Sequence, residues 1–455
     1  MYGKREGEII ENGITIVDGN NAEVTVNYLI SDAGGQGDVY HVTYKDKDYA
    51  MKWYCKHPDD VIGGPQYKII SRICGEENRP SDKIIWPLFL VTEEKPAIGK
   101  RFGYLMELIP DNYYDMVDYF RIDGDPKAVC FSSYHAMLNA GLNIAAAMRD
   151  IHIRGFVYQD FHPGNIVINP KNGDVFVVDN DNISVGGGLC TVWGTKGYMA
   201  PEIHNSNYEV YPAMETDRYS LAVVLYRLFF IDHPLEGKAW EKYPLHTVKV
   251  EDYLYAEKPV FHFDPENDSN RPSELYALNA FVRWRAMPKE LRNTFTRTFT
   301  KGLFHPLERP TEGEWVDVIS KARDSLILLE DGREQFVNFD DIRTVPSGCL
   351  GMTICRNVWA LYPGKEIYEM SVSRDYRQFA KVYADIVYDK EKDCMMIRNL
   401  SDKEWRGFVS ETKQLTVISK GQDYEIKPGV MIEFQRDNPK IVGEIFDPRV
   451  IKIEE

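Results

Sequence analysis

Along residues 24–110, hydrophobic and polar positions follow a strand-like pattern with one helical patch. "VTVNYLIS" and "DVYHVTYKDKDYAMKWY" are rich in β-branched and aromatic residues, which predicts strands. "PQYKIISRI" at 65–73 has helical character. From about 134 to 325 the helical period dominates. "YHAMLNAGLNIAAAMRDIHIRG" has apolar residues at helical spacing and stops at a glycine. "DRYSLAVVLYRLFFI" is apolar on nearly every face, which predicts a buried central helix. Pro288 interrupts "FVRWRAMPKELRNTFTRTFTKGLF", so two helices are expected there. Beyond about 326 come short strand-like runs, among them "VWALYPG", "FAKVYADIVYD", "CMMIRNL" and "VMIEFQ". Gly, Pro, Asp and Lys clusters separate them, the pattern of a separate all-β module with a boundary near 325–335.

A chain of 455 residues with 44% hydrophobic content has material for two or three domains. Lys and Arg total 54 against 70 Asp and Glu, a net charge of −16, which argues against a nucleic-acid surface as the main business. The opening "MYGKREGEIIENG" is charged and lacks the apolar core of a secretory signal. The longest apolar run, 221–231, is too short to span a bilayer and carries Arg227. The seven cysteines form no CxxC pair and fit reduced thiols better than a disulfide frame or a zinc site. A cytoplasmic location is expected.

Four stretches carry candidate chemistry. "SDAGGQGDVYHV" places three glycines in four positions between two strand-like runs. Such a loop either turns a hairpin or lets backbone N–H groups approach phosphates. Lys52, in "YAMKWY", either faces solvent or reaches inward to an anion. In "YQDFHPGNIVI", Pro163 and Gly164 force a turn that brings Asp160 and Asn165 to one side. An Asp there accepts or orients a hydroxyl proton, and an Asn oxygen is a hard ligand for Mg²⁺. His162, with no partner of its kind, reads as a loop histidine rather than a metal ligand. In "VFVVDNDNIS" an apolar strand delivers Asp179, either as a strand cap or as a carboxylate for Mg²⁺.

Taken together and in this order, these parts resemble a eukaryotic-like (Hanks-type) Ser/Thr protein kinase over about 24–325. "GYLMELIP" resembles the hinge strand, "GTKGYMAPE" the end of an activation segment, and "TDRYSLAVVLY" the central helix opening with Asp217. In "HPLERP", Arg309 matches the arginine that pairs with the Glu of the APE motif, here Glu202. The resemblance implies an α+β bilobal fold, with a β-rich N-lobe (24–110) and a helical C-lobe (111–325). An N-terminal extension (1–23) precedes it. A linker or β segment (326–355) and a C-terminal β-sandwich (356–455) follow.

It also implies ATP and Mg²⁺ as cofactors, a protein substrate, and roles position by position. Gly34, Gly35, Gly37 and Val39 would cover the nucleotide. Lys52 would contact its phosphates. Met106, Glu107 and Leu108 would form the gatekeeper and hinge. Asp160 would be the catalytic base, and Asn165 and Asp179 the metal ligands.

The chain departs from the family pattern in several places. Asp32 replaces the first glycine of the loop, and the HRD triplet reads Tyr158-Gln159-Asp160. Without that Arg, phosphorylation in the 185–195 segment is not expected to be a required switch through that position. His162 stands where a Lys is usual, and DFG reads Asp179-Asn180-Asp181. The helix Glu that should pair with Lys52 is missing. Gln66 falls near its place and would hydrogen-bond Lys52 without neutralising it, while Glu76 and Glu77 come too late. These changes leave open a pseudokinase, a nucleotide-binding adaptor. "QDFHPGN" also resembles the loop of small-molecule phosphotransferases, but the APE segment and its Arg favour a protein substrate.

"IIWPLFL", "VVDNDNISV", "HPLEGK" and "FHFDPENDSNRP" look like a bacterial group associated with tellurite-resistance-type proteins. That likeness implies a PP2C-type phosphatase and a von Willebrand factor A-domain protein as partners. The C-terminal pattern is similar to a degenerate forkhead-associated (FHA) sandwich. Ala380-Lys381-Val382-Tyr383-Ala384 stands where the phosphothreonine-binding stretch should be, and Ser401 is retained. A lone Lys cannot make the two-pronged phosphate contact of an Arg, so docking or regulation is the expected role.

Overall fold

The computed structural model describes residues 15–32, 35–122, 124–185, 192–354, 357–409, 415–435 and 441–450. Strands β1 (Ile16–Asp18), β2 (Glu23–Ser31), β3 (Gly37–Tyr44), β4 (Lys47–Tyr54), β5 (Phe89–Glu93) and β6 (Phe102–Met106) close into an antiparallel barrel in the order β1-β2-β3-β4-β6-β5. β1 lies inside the segment expected to be an extension and pairs with both β2 and β5. Alternate side chains of these strands, including Val42, Met51, Trp53, Val91 and Leu105, fill the barrel. Helix α1 (Pro65–Ile73) starts on a proline and buries Gln66, Ile70 and Ile73.

The helical lobe follows as α2 (Tyr134–Ile153), α3 (Pro201–Asn205), α4 (Met214–Phe230), α5 (Val248–Asp252), α6 (Leu278–Trp284), α7 (Lys289–Phe299), α8 (Lys301–Phe304) and α9 (Glu312–Ser325). Pro288 caps α7 and separates it from α6, as its position in the sequence predicts. α4 is buried almost all round, from Tyr219 to Phe230, and forms the floor of the lobe. The short strand β7 (Tyr114–Asp115) precedes α2, and β8 (Phe156–Val157), β9 (Ile166–Asn169), β10 (Asp174–Val177) and β11 (Ser184–Val185) lie between α2 and α3. The β9–β10 hairpin carries Asn165 at its entry and Asp179 just past its exit.

The remaining chain is β-rich. A hairpin of β12 (Leu326–Leu328) and β13 (Glu334–Phe336) leads into two antiparallel sheets. Six strands form one: Asn357–Leu361, Leu350–Ile354, Ile441–Phe446, Val430–Gln435, Trp405–Val409 and Thr416–Ile418, in that spatial order. Four form the other: Glu366–Tyr368, Val382–Asp389, Cys394–Asn399 and Asp423–Glu425. A core around Met352, Trp359, Ile386, Ile397, Trp405 and Phe434 lies between them.

This region is seated firmly on the helical lobe. Lys365 Nζ donates to the carbonyls of Arg323 (2.6 Å) and Leu326 (2.7 Å), closing the end of α9. The Arg323 guanidinium lies 3.5 Å over the Tyr368 ring. Met370 and Phe379 join the core of the helical lobe.

Candidate active site

The stretch leading to Asp160 is held from beneath by Asp217, at the start of α4. Its carboxylate accepts the backbone N–H of Tyr158 (2.6 Å) and of Gln159 (3.0 Å), and one ring N–H of His152 (3.0 Å). The other ring nitrogen of His152 donates to Glu312 at 2.8 Å. Burial opposes the charged imidazole, but these two carboxylates outweigh it and raise its pKa to about 9. Gln159 follows with φ at 74°, in the left-handed region, so the chain turns sharply and presents Asp160.

Past Asp160 the loop closes on a single turn of 3₁₀ helix over Pro163–Asn165. His162 caps it, its Nδ1 accepting the Gly164 N–H at 3.1 Å. A Cβ at position 164 would lie 2.7 Å from the His162 ring, so a larger residue there would push that ring aside. The Asn165 amide donates to the Asp160 carbonyl at 2.9 Å, which leaves its oxygen for a cation. Asp160 Oδ1 accepts the Thr195 hydroxyl at 2.7 Å, and His162 Nε2 stands 3.7 Å from Oδ2. Burial lowers the His162 pKa, against the pull of Asp160.

Across from this loop, β4 turns Lys52 inward, between Val39 of β3 and Tyr104 of β6. Lys52 is one of the buried charged residues, and its Nζ meets two carboxylates, Asp179 and Asp181, the latter at 2.6 Å. Burial disfavours the ammonium, but the two acids hold its pKa above the usual lysine range. Asp179 has φ at 57°, a left-handed conformation that Asp tolerates, which turns its carboxylate toward Lys52. Burial works against the Asp179 charge, and Lys52 outweighs it, leaving the pKa lowered. For Asp181 the balance falls the other way: burial, then the neighbouring Asp179 charge, raise it to about 6.

Gln66 does not bond Lys52, contrary to the expectation from its position. Its amide donates to the Tyr54 hydroxyl (3.2 Å) and the Asp181 carbonyl (2.7 Å), because Asp181 already fills the space beside the ammonium.

The glycine stretch is only partly visible. Gly34 lies outside the described residues. Gly35 has open space around it, whereas a Cβ on Gly37 would meet the Trp53 carbonyl at 2.2 Å. Gly37 is therefore required by close approach of β3 to β4, whatever else the loop does. Asp32 is exposed. Between the glycines, Gln36 accepts from Lys52 Nζ at 3.3 Å and donates to Asn182 at 3.2 Å.

Met106 ends β6 opposite Ala50, and Glu107, just beyond, pairs with Arg79 at 2.9 Å. Leu108 follows in the same segment. Farther down, Arg309 grips Glu202 with two hydrogen bonds of 2.7 and 2.8 Å. It also donates to the carbonyls of Gly302 and Glu215.

Lys52, Asp160, Asn165 and Asp179 thus converge on one cleft between the lobes. Asp181, Thr195, Gln36 and Tyr54 join them without having been singled out in the sequence. For Asp181 the signal was present in "VVDNDN", but it reads there only as a lost glycine. Carboxylate and amide oxygens are the donor set that Mg²⁺ takes, so Asp179 and Asn165 fit such an ion.

The fold and the cleft define the bilobal class of nucleotide phosphotransferases to which protein kinases belong. The protein kinase domain family matches residues 33–278, more than half of the chain, and the chain belongs to that family. It is similar to the serine/threonine-protein kinase sck2 of Schizosaccharomyces pombe, 28% identical over 208 residues, covering 43% of this chain and 29% of the relative. It is also similar to the serine/threonine-protein kinase Sgk1 of Danio rerio, 30% identical over 131 residues, covering 26% of this chain and 28% of the relative. The chain spans less than a third of the length of these curated relatives. A solved structure, the ROP18 kinase domain in complex with AMP-PNP and sucrose, is similar at 16% identity with a TM-score of 0.44, over 67% of this chain and 82% of that one. Among the described residues, no helix is long and apolar enough to cross a membrane.

Proposed function

We propose that this chain is an ATP-dependent protein kinase that transfers the γ-phosphoryl group to Ser or Thr hydroxyls of a protein substrate. The observation that carries the reading is the convergence of Lys52, Asp160, Asn165 and Asp179 on one cleft inside a protein kinase domain. Mg·ATP would supply the phosphoryl group and much of the charge neutralisation. Asp160 would orient the acceptor hydroxyl and take its proton, as its place on a rigid turn allows. Lys52 would bind phosphate oxygens, Asn165 and Asp179 would hold the metal, and the described glycine-loop residues with Val39, Met106, Glu107 and Leu108 would border the nucleotide. Thr195 is hydrogen-bonded to Asp160, and an acceptor hydroxyl would have to displace it to reach that oxygen.

The altered glycine loop and the uncharged Gln66 favour a second reading, a nucleotide-binding adaptor. Incubation with γ-labelled ATP and Mg²⁺, followed by acid hydrolysis of the labelled acceptor, separates the two. Phosphoserine or phosphothreonine that disappears in Asp179→Asn supports the kinase. A thermal shift with ATP and no label in any acceptor supports the adaptor.

The C-terminal region belongs to the same proposal as a degenerate FHA-like sandwich used for docking or regulation. Its two-sheet core supports that reading. Ser401 is buried, bonded to Asn399 (2.7 Å) and Trp405 (3.1 Å), and Lys381 is paired with Glu369 at 2.7 Å. Neither is set to grip a phosphate. The sequence likeness to the tellurite-linked bacterial group adds a PP2C-type phosphatase and a von Willebrand factor A-domain protein as proposed partners.

A further inference from the structure

Lys52 is a buried cation, and a buried cation requires a counter-charge. Helix α1 offers none, since "PQYKIISRI" contains no acid. What it offers is Gln66, turned onto the Asp181 backbone. Lys52 is instead met by two carboxylates that differ sharply in setting. The Asp181 side chain is fully buried, with Oδ2 beside Lys52 Nζ and under the Tyr54 hydroxyl, while the Asp179 side chain is 40% exposed toward the cleft. One acid is committed to the interior and the other is open to a ligand.

We propose that Asp181 is a positioning residue: it is the buried counter-charge of Lys52, so that Asp179, which also touches Lys52 Nζ, can turn to a metal ion without leaving the ammonium unpaired. The inference rests on the kinase reading of the cleft. Without Asp181, Asp179 would be the one carboxylate beside the ammonium, and an incoming Mg²⁺ would have to compete with Lys52 for it. With Asp181, the three side chains carry one net negative charge, which favours a cation at Asp179. The arrangement also places the counter-ion and the metal ligand on one short segment, 179–181, rather than on two elements. The ion pair is then independent of any acid on α1, which reaches it through the Gln66 bonds to the Tyr54 hydroxyl and the Asp181 carbonyl.

The test uses the full chain and AMP-PNP, reading thermal stabilisation as Mg²⁺ is titrated. Wild type is compared with Asp181→Asn, Asp181→Gly, and Asp181→Gly combined with Gln66→Glu, which moves a carboxylate onto α1 beside Tyr54. Loss of a unit charge a few ångströms from the metal should raise the Mg²⁺ needed for half the effect about tenfold in both single variants. The double variant should return to within about threefold of wild type, a rescue that a merely structural Asp181 would not permit.

Single variants within about twofold of wild type, or a double variant needing as much Mg²⁺ as Asp181→Gly, overturn the proposal. If neither single variant folds, the double variant decides. A folded, Mg²⁺-responsive double variant supports the proposal, and an unfolded one overturns it. A wild type that binds Mg·AMP-PNP but never transfers phosphate from ATP ends the kinase reading and leaves this comparison standing. A wild type without Mg²⁺-dependent nucleotide binding overturns both.

Discussion

The cleft and the C-terminal sandwich have each lost residues that their sequence likenesses lead one to expect, and they have absorbed the loss differently. In the cleft a charge missing from α1 reappears two residues beyond Asp179, as Asp181, and meets Lys52 at 2.6 Å. In the sandwich, Lys381 stands where the sequence likeness leads one to expect an arginine. Lys381 is exposed and tied to a neighbour, and Ser401 serves its own turn by accepting the Trp405 and Lys403 N–H groups. A buried cation with two acids around it is costly unless the arrangement has a use. A satisfied, buried serine in a turn is explained by the fold alone. The difference teaches that degeneracy of a motif is judged by where the charges went, more than by which letters changed.

That comparison can be sharpened from its strongest side to its weakest. Asp160→Asn should lower phosphoryl transfer about 10³-fold, the scale of a positioned general base, with the melting temperature preserved. Glu202→Ala leaves Arg309 buried without a carboxylate, against backbone carbonyls and the Tyr219 ring, and should cost about 3 kcal/mol, read by urea unfolding.

The His152 site adds a pH dependence of similar size. Its folded pKa of about 9 lies above the ordinary 6.5, so the stabilisation is full below pH 6.5 and is lost as pH rises through 9. A decline of about 3 kcal/mol over that window is expected, and His152→Gln should flatten it. Ser401→Ala should cost about 1 kcal/mol, the worth of its turn hydrogen bonds, and leave kinase activity untouched. Lys381→Ala should leave stability unchanged, and neither it nor wild type should bind a phosphothreonine peptide in calorimetry.

Much of this architecture was legible in the sequence. The period change near 134, the apolar run of α4 and the break at Pro288 all reflect packing requirements that a chain cannot conceal. The turn at 160–165 was legible because Pro163 and Gly164 leave few alternatives there. What the sequence hid were contacts between segments far apart in the chain. Asp181 meets Tyr54 across 127 residues, and Gln66 reaches the Asp181 carbonyl across 115. Alternation along β4 was no guide to Lys52, because its last five residues are all buried. Gly37 likewise looked like a phosphate-loop glycine, and its close approach to the Trp53 carbonyl appears only once β3 lies on β4.

The proposed cleft chemistry is phosphoryl transfer despite the altered motifs. Single-turnover transfer from γ-labelled ATP at saturating Mg²⁺ tests it most directly, with wild type and Asp160→Asn followed side by side on a Ser/Thr-containing protein acceptor. Rapid labelling by wild type and near-complete loss in Asp160→Asn are expected, with nucleotide bound equally by both. Equal labelling by the two, or none by a wild type that holds the nucleotide, would contradict it.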